Sequence, residues 1–311
     1  MTKVVFMGTP DFSVPILKGL IENYDVIGVV TQPDKEVGRK QELTFSPIKK
    51  VAIENNIKVI QPEKIRKEFQ EVIDLNPDII VTCAYGQIIP KEILDCPKYG
   101  CINVHASLLP KYRGGAPIHR AIINGETKTG ITIMYMDVGM DTGDIISTEE
   151  IEITPDMTVG ELHDKLSVMG RELLLKTMPS ILDGTNNRVK QNDDEATFGY
   201  VIKREDELVD FNDTTINVHN KIRGLSPFPS SYSMLDGKIV KFYRATIGNS
   251  KKEGAPGEII NLYKDGIGVK TSDGEIVLKE IKPEGKKCME VSAFLNGINK
   301  NELLGKRFEK E

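Results

Sequence analysis

The sequence has few of the residues that build metal centres or covalent cross-links. Its four cysteines, Cys83, Cys96, Cys101 and Cys288, form no C-x-x-C pair. Three of them lie in or beside apolar segments, so they read as reduced packing residues rather than a disulfide framework. The four histidines, His105, His119, His163 and His219, are not spaced as ligands, which argues against zinc and gives no reason to expect any metal. No apolar run approaches the roughly 18–20 residues that a membrane span requires. The opening residues, Met1 to Met7, read as a strand and lack the basic and apolar regions of a secretory leader. Together these absences predict a soluble, cytoplasmic protein with no metal and no membrane partner.

What is present suits two globular domains: 311 residues, of which 39% are apolar and 28% charged. The net charge of −5 is unevenly spread. Residues 1–200 carry 22 Lys/Arg against 29 Asp/Glu, and residues 201–311 carry 19 against 17. The second part is therefore the better candidate for holding a nucleic-acid backbone, although its charge alone would not suggest one.

Short Val- and Ile-rich runs bounded by Gly, Pro, Asp or Asn recur at Lys3–Met7, Asp25–Val30, Lys58–Ile60, Asp78–Ala84 and Gly100–Val104. They read as buried parallel strands. Helical patterns at Val14–Asn23, Ile48–Asn56 and Lys64–Leu75 alternate with them. The alternation predicts a doubly wound, mostly parallel α/β sheet of Rossmann-like type, which Thr129–Met136 and Ile145–Ile153 extend. Thr158-Val-Gly-Glu161 has capping-box spacing and opens a helix, with His163 expected at its surface. A polar stretch without periodicity follows. Residues 1–189 are accordingly read as the α/β domain, 190–205 as a linker, and 206–311 as a small β-barrel of oligonucleotide-binding type. That last assignment rests on five strand-like runs between Ser231 and Ile281, separated by Asp-Gly turns.

Ligands of open α/β sheets bind beyond the carboxyl ends of the strands. After the first strand, Gly8-Thr9-Pro10-Asp11-Phe12 lacks G-x-G-x-x-G, so a dinucleotide site is not expected. Asn103 and His105 are two apart at a strand end, and their side chains leave one face of the sheet. Polar groups there are costly unless satisfied or used. The loop that follows, through Arg113-Gly114-Gly115-Ala116-Pro117, gives a ligand room close to the backbone. Met136–Ile145 holds several carboxylates near the next strand; Asp141 is either a solvated turn acid or the partner that orients and supports His105. No convincing serine or cysteine triad is present. The loop Thr31–Lys50 is longer than the usual connection of about 2–6 residues in α/β units. It carries Lys35, Arg39, Lys40, Lys49 and Lys50.

GTPDF, INVHASLLPKYRG and MDVGMDTGDI occur in the order found in folate-dependent formyltransferases, and the chain resembles that family along its full length. Gly38-Arg39 within Thr31–Lys50 is similar to the tRNA-contacting loop of members that act on methionyl-tRNA, although Glu36-Val37 stands where those loops often have Pro-Ala. The resemblance implies 10-formyltetrahydrofolate as donor and the α-amine of initiator methionyl-tRNA as acceptor. It matches Ser107, Leu108, Leu109 and Pro110 to the folate segment, and Tyr85, Gly86, Gln87 and Ile88 to the chain beside the pterin. Lys35, Arg39 and Lys40 become candidate tRNA contacts, in a protein expected to act as a monomer.

The chemistry would then rest on Asn103 as a hydrogen-bond donor to the developing oxyanion and on His105 as a second donor or a proton shuttle. Asp141 would stabilise the charged imidazole or position a water. A formyltetrahydrofolate hydrolase, a sugar-nucleotide amine formyltransferase and a non-catalytic RNA-binding protein are the competing expectations.

Overall fold

The computed structural model describes residues 1–37 and 42–310. Two of the three cations assigned to tRNA, Arg39 and Lys40, lie outside the described residues. The chain forms two compact units. The first comprises Met1–Pro117, Thr129–Ile151 and His163–Tyr200; the second comprises Ile118–Lys128, Glu152–Leu162 and Val201–Glu311.

The first unit is built on strands β1 (Lys3–Gly8), β2 (Asp25–Val30), β3 (Lys35–Val37), β4 (Glu42–Thr44), β5 (Val59–Ile60), β6 (Ile79–Cys83), β7 (Cys101–His105), β8 (Lys128–Tyr135) and β9 (Ile145–Glu152). Seven of them form one sheet in the order β5-β2-β1-β6-β7-β8-β9. The ladders from β5 through β7 are parallel, and β8 runs antiparallel to β7. Strand order reverses between β1 and β6, which makes their carboxyl ends the natural ligand crevice. Val4–Met7 and the whole of β6 are buried, as the continuous apolar runs require for strands covered on both faces.

Three local features depart from the periodic reading. The Thr31–Lys50 loop carries an antiparallel hairpin, β3 with β4, pairing Lys35 with Thr44 and Glu36 with Leu43. Strands this short leave too few residues for alternation to register. Only Gln70–Asp74 of the expected Lys64–Leu75 helix is helical. Glu68 caps the preceding turn instead, accepting from the backbone N–H groups of Glu63 and Lys64. His163 is half-buried, its ring edge-on to Phe12 with centroids 5.3 Å apart, because the helix stripe is wider than its Val and Leu positions alone suggest. The capping box is as expected: Thr158 N donates to Glu161 Oε2 at 2.8 Å, and Glu161 N donates to Thr158 Oγ1 at 3.3 Å.

The second unit contains an antiparallel sheet of β10 (Ser231–Leu235), β11 (Lys238–Ile247), β12 (Ile259–Leu262), β13 (Ile267–Lys270), β14 (Glu275–Pro283) and β15 (Met289–Glu290). Its order is β10-β11-β14-β13-β12, with β15 on β14. The C-terminal residues join the two edges. Met234 on β10 exchanges backbone hydrogen bonds with Glu309, while Ile259 N donates to Lys306 O and Phe308 N donates to Gly257 O. Pairing both open edges with one segment removes the exposed edges that invite aggregation. Phe211, Phe242 and Phe308 meet in the core beneath, with ring centroids 5.4–6.1 Å apart.

Gly130 on β8 tests the packing of the first unit. A Cβ there would lie 2.0 Å from the carbonyl oxygen of Glu149 and 2.6 Å from Leu108 Cδ2. Gly130→Ala is expected to destabilise the protein by about 1–3 kcal/mol, as overpacking does. Thermal unfolding should show a lower midpoint; an unchanged midpoint would mean that β8 and β9 are not in this contact.

Candidate active site

The carboxyl ends of β1, β2 and β6 are tied together by side chains. Thr9 Oγ1 and Gln32 Nε2 both donate to the carbonyl of Tyr85, at 3.1 and 3.0 Å. Gln61 in turn donates to Gln32 O and Asp34 Oδ1. The crevice floor is therefore a hydrogen-bonded mesh rather than a loose set of turns.

β7 places two polar side chains beside it. Asn103 pairs in register with Thr82 of β6, whose hydroxyl donates to Asn103 Oδ1 at 2.8 Å. That bond occupies the carboxamide oxygen and leaves Nδ2 as a directed donor. His105 is 6% exposed, and its Nε2 lies 3.1 Å from the carbonyl of Tyr112. A carbonyl only accepts, so Nε2 carries the proton and the neutral ring keeps its lone pair on Nδ1. Asp141 Oδ2 lies 3.7 Å from that Nδ1, too far for a hydrogen bond. The same oxygen accepts from Gly114 N at 2.8 Å. Asp141 thus faces the imidazole, while the Tyr112 carbonyl holds it.

The loop that makes both contacts is braced from a distant part of the chain. Arg113, 4% exposed, donates from Nε and Nη2 to Gln191 Oε1 at 3.1 and 2.9 Å, and from Nη2 to Asp193 at 2.8 Å. Gln191 Nε2 donates to the carbonyls of Asp141 and Gly143 at 2.8 and 2.7 Å. One buried amide thereby couples the His105 loop to the Asp141 loop. Thr197 adds a second brace: its Oγ1 accepts from Tyr112 N and its carbonyl accepts from Arg113 N, each at 2.9 Å. Asp141 and Tyr112 both sit at positive φ, +54° and +57°. Residues held there need the surrounding contacts to offset the strain. Gln191 and Thr197 lie in the polar, aperiodic stretch of the sequence. A glutamine's typical exposure gives no signal of burial, so nothing in the sequence marks them.

Of the segments matched to folate, Ser107 is buried and donates to Lys111 O at 2.6 Å. Leu109 is buried and Leu108 half-exposed. Tyr85 is buried, and burial pushes its hydroxyl pKa up. Gly86 takes φ +89°, Gln87 Oε1 accepts from Ile65 N, and Ile88 is 63% exposed. Lys35 is exposed on the hairpin. Lys49 is not free for a phosphate: it pairs with Asp34 at 2.5 Å and lies over the Phe45 ring, and it holds that carboxyl below its usual range. The two buried cysteines of β6 and β7 are not poised as nucleophiles. Burial pushes the Cys83 thiol up to about 12 and raises Cys101 as well. Among the described residues no group of three or more His, Cys, Asp or Glu is placed to hold a metal, and no helix is long and apolar enough to cross a membrane.

The second unit has its own open cavity of about 490 Å³, lined in part by Asp156, His219, Arg223, Arg244 and Lys279. Its cations are committed. Arg223 bonds the carbonyls of Thr154 and Met157, Arg244 pairs with Glu290, and Lys279 pairs with Asp265.

A strand-end carboxamide, a backbone-held imidazole and a facing carboxylate suit an enzyme that passes a small acyl group directly between two bound partners. The chain belongs to the formyl transferase family: the formyl transferase model matches residues 2–178, and the model for the C-terminal domain matches residues 201–299. The methionyl-tRNA formyltransferase of Macrococcus caseolyticus is 53% identical over 310 residues, 99% of each chain. The enzyme of the same name from Staphylococcus epidermidis is 52% identical over 309 residues, 98% of this chain and 99% of its own. Among solved structures, an N-formyltransferase from Helicobacter canadensis in complex with folinic acid and dTDP-3-aminofucose superposes with a TM-score of 0.68. It is 24% identical and covers 89% of this chain and 99% of that one, a likeness of fold.

Gln191→Leu keeps the bulk and removes all four hydrogen bonds. Formyl transfer should slow by roughly 100-fold, the scale on which a small misplacement acts, with the loss mainly in kcat. A folded variant with parent kcat would mean that Gln191 does not position Asp141.

Proposed function

We propose that the protein transfers the formyl group of 10-formyltetrahydrofolate to the free amine of methionine on initiator methionyl-tRNA. The observation that carries this reading is identity above 50%, along the whole chain, to enzymes of that name. The likeness to a sugar-nucleotide formyltransferase is one of fold at 24% identity.

Asn103 Nδ2 donates to the formyl oxygen as negative charge gathers there. His105 Nδ1 accepts the proton that the amine releases as the new C–N bond forms, and Asp141 stabilises the imidazolium. His105 then returns that proton to the departing folate nitrogen as its bond to the formyl carbon breaks. The chain's own groups begin and end the cycle unchanged, which is why no nucleophilic side chain is needed. Ser107–Pro110 and Tyr85–Ile88 line the folate, where the exposed Ile88 side chain offers an apolar face to a flat ring.

Residues 1–189 carry this chemistry in the proposal. Residues 206–311 hold the tRNA, together with Lys35, Arg39 and Lys40 of the Thr31–Lys50 stretch. The enzyme works in the cytoplasm as a monomer.

The deciding experiment offers formyl donor with charged initiator tRNA, an amino sugar nucleotide, or water alone. Formylmethionyl-tRNA should be the dominant product; preferential formylation of the sugar, or simple hydrolysis, would replace this reading with the corresponding rival. Asn103→Ala and His105→Ala should each slow single-turnover transfer by about 10²–10³ while folate still binds. Near-parent transfer by either folded variant would remove that residue from the chemistry. Trypsin should cut the parent after Arg39 or Lys40, and saturating tRNA should block the cut. Equal cleavage with and without tRNA would take the loop out of the interface.

A further inference from the structure

Phe198 and Tyr200 form an aromatic pair on the surface of the first unit. Their ring centroids are 5.6 Å apart with planes 11° from parallel, and the residues are 45% and 64% exposed. A spacing of two along extended chain puts both rings on one face. Two large rings held parallel in water are a poor use of apolar surface unless something covers them.

Their position is fixed by the catalytic loop. Gly199 N donates to Arg113 O, and Ala116 N donates to Gly199 O, each at 2.8 Å. Gly199 packs so closely that a Cβ would lie 3.0 Å from Pro117 Cα. The rings therefore flank a segment paired with the loop whose Tyr112 carbonyl holds His105 and whose Gly114 amide holds Asp141.

We infer that Phe198 and Tyr200 are a stacking platform for the unpaired 3′-terminal adenine of the acceptor tRNA. The inference rests on the proposed acceptor and deepens it. The reactive amine arrives on the ribose of the last nucleotide, so the base of that nucleotide must lie beside the reaction centre, with no complementary strand to stack against. Parallel aromatic faces recognise a base through its π-surface and need no hydrogen-bond code. Asp194 and Glu195, exposed a few residues earlier on the same segment, add negative charge that disfavours a phosphate nearby, which leaves the uncharged base as the group to be seated.

The test compares two small acceptors, the methionyl ester of adenosine and the methionyl ester of ribose, which lacks the base. The parent should prefer the adenosine ester by roughly tenfold or more in kcat/KM, the scale of stacking one base on an aromatic ring. In the Phe198→Ala/Tyr200→Ala variant that ratio should fall toward one. Phe198→Leu, which keeps apolar bulk and removes the aromatic face, should lower it too, whereas Phe198→Tyr should keep it. If the parent formylates both esters and the Leu and double Ala variants keep the full ratio, the platform is overturned while the proposed reaction stands. A parent that formylates no methionyl acceptor, charged tRNA included, would overturn the proposed function and the platform with it.

Discussion

The bond from His105 Nε2 to the carbonyl of Tyr112 is the interaction on which the rest of the site depends. It selects the ring's tautomer and turns the unprotonated Nδ1 toward Asp141. In the proposed proton path a ring with the opposite tautomer would present a donor to Asp141 and could not take the amine's proton. The carbonyl that imposes this choice belongs to a residue at positive φ, in a loop that cannot hold its path unaided. Gln191, gripping the neighbouring Arg113, and Thr197, bonding Tyr112 itself, supply the missing constraint from more than seventy positions away in the chain.

This arrangement separates the tasks that a triad would combine. Asn103 is oriented by Thr82 through the sheet ladder, His105 by a backbone carbonyl, and Asp141 by a backbone amide and by Gln191 at its own carbonyl. Each of the three side chains is therefore held by a partner that does not titrate near neutral pH. In the proposed reaction the site changes its charge without releasing its own scaffold. Preorganisation of this kind is what lets fixed donors act on a developing charge without reorganising at the moment of reaction.

Much of this was legible in the sequence, for identifiable reasons. β1 and β6 are apolar and buried almost throughout, as are the crevice-facing half of β2 and most of β7, so their runs stand out and their carboxyl ends locate the crevice. Asn103 and His105 announce themselves because period-2 geometry puts two polar side chains on one face of an otherwise apolar strand. Asp141 could be suspected only as one acid among several, since its approach to the imidazole depends on a loop whose path is set by tertiary bonds. Gln191 and Thr197 were invisible: a polar, aperiodic stretch reads as solvated, and burial of a glutamine is decided by partners far away in the chain. The pairing of Lys35–Val37 with Glu42–Thr44 and the edge-joining residues near Phe308 are each too short to show a period.

The tautomer of His105 decides the proposed proton path most directly. Nitrogen-15 spectroscopy of the labelled histidines, recorded where the ring is neutral and assigned with a His105→Gln variant, reads it without substrate or turnover. The geometry predicts the proton on Nε2 and an unprotonated Nδ1. A neutral ring protonated on Nδ1 would contradict the proposed proton path, because the nitrogen facing Asp141 would then be a donor.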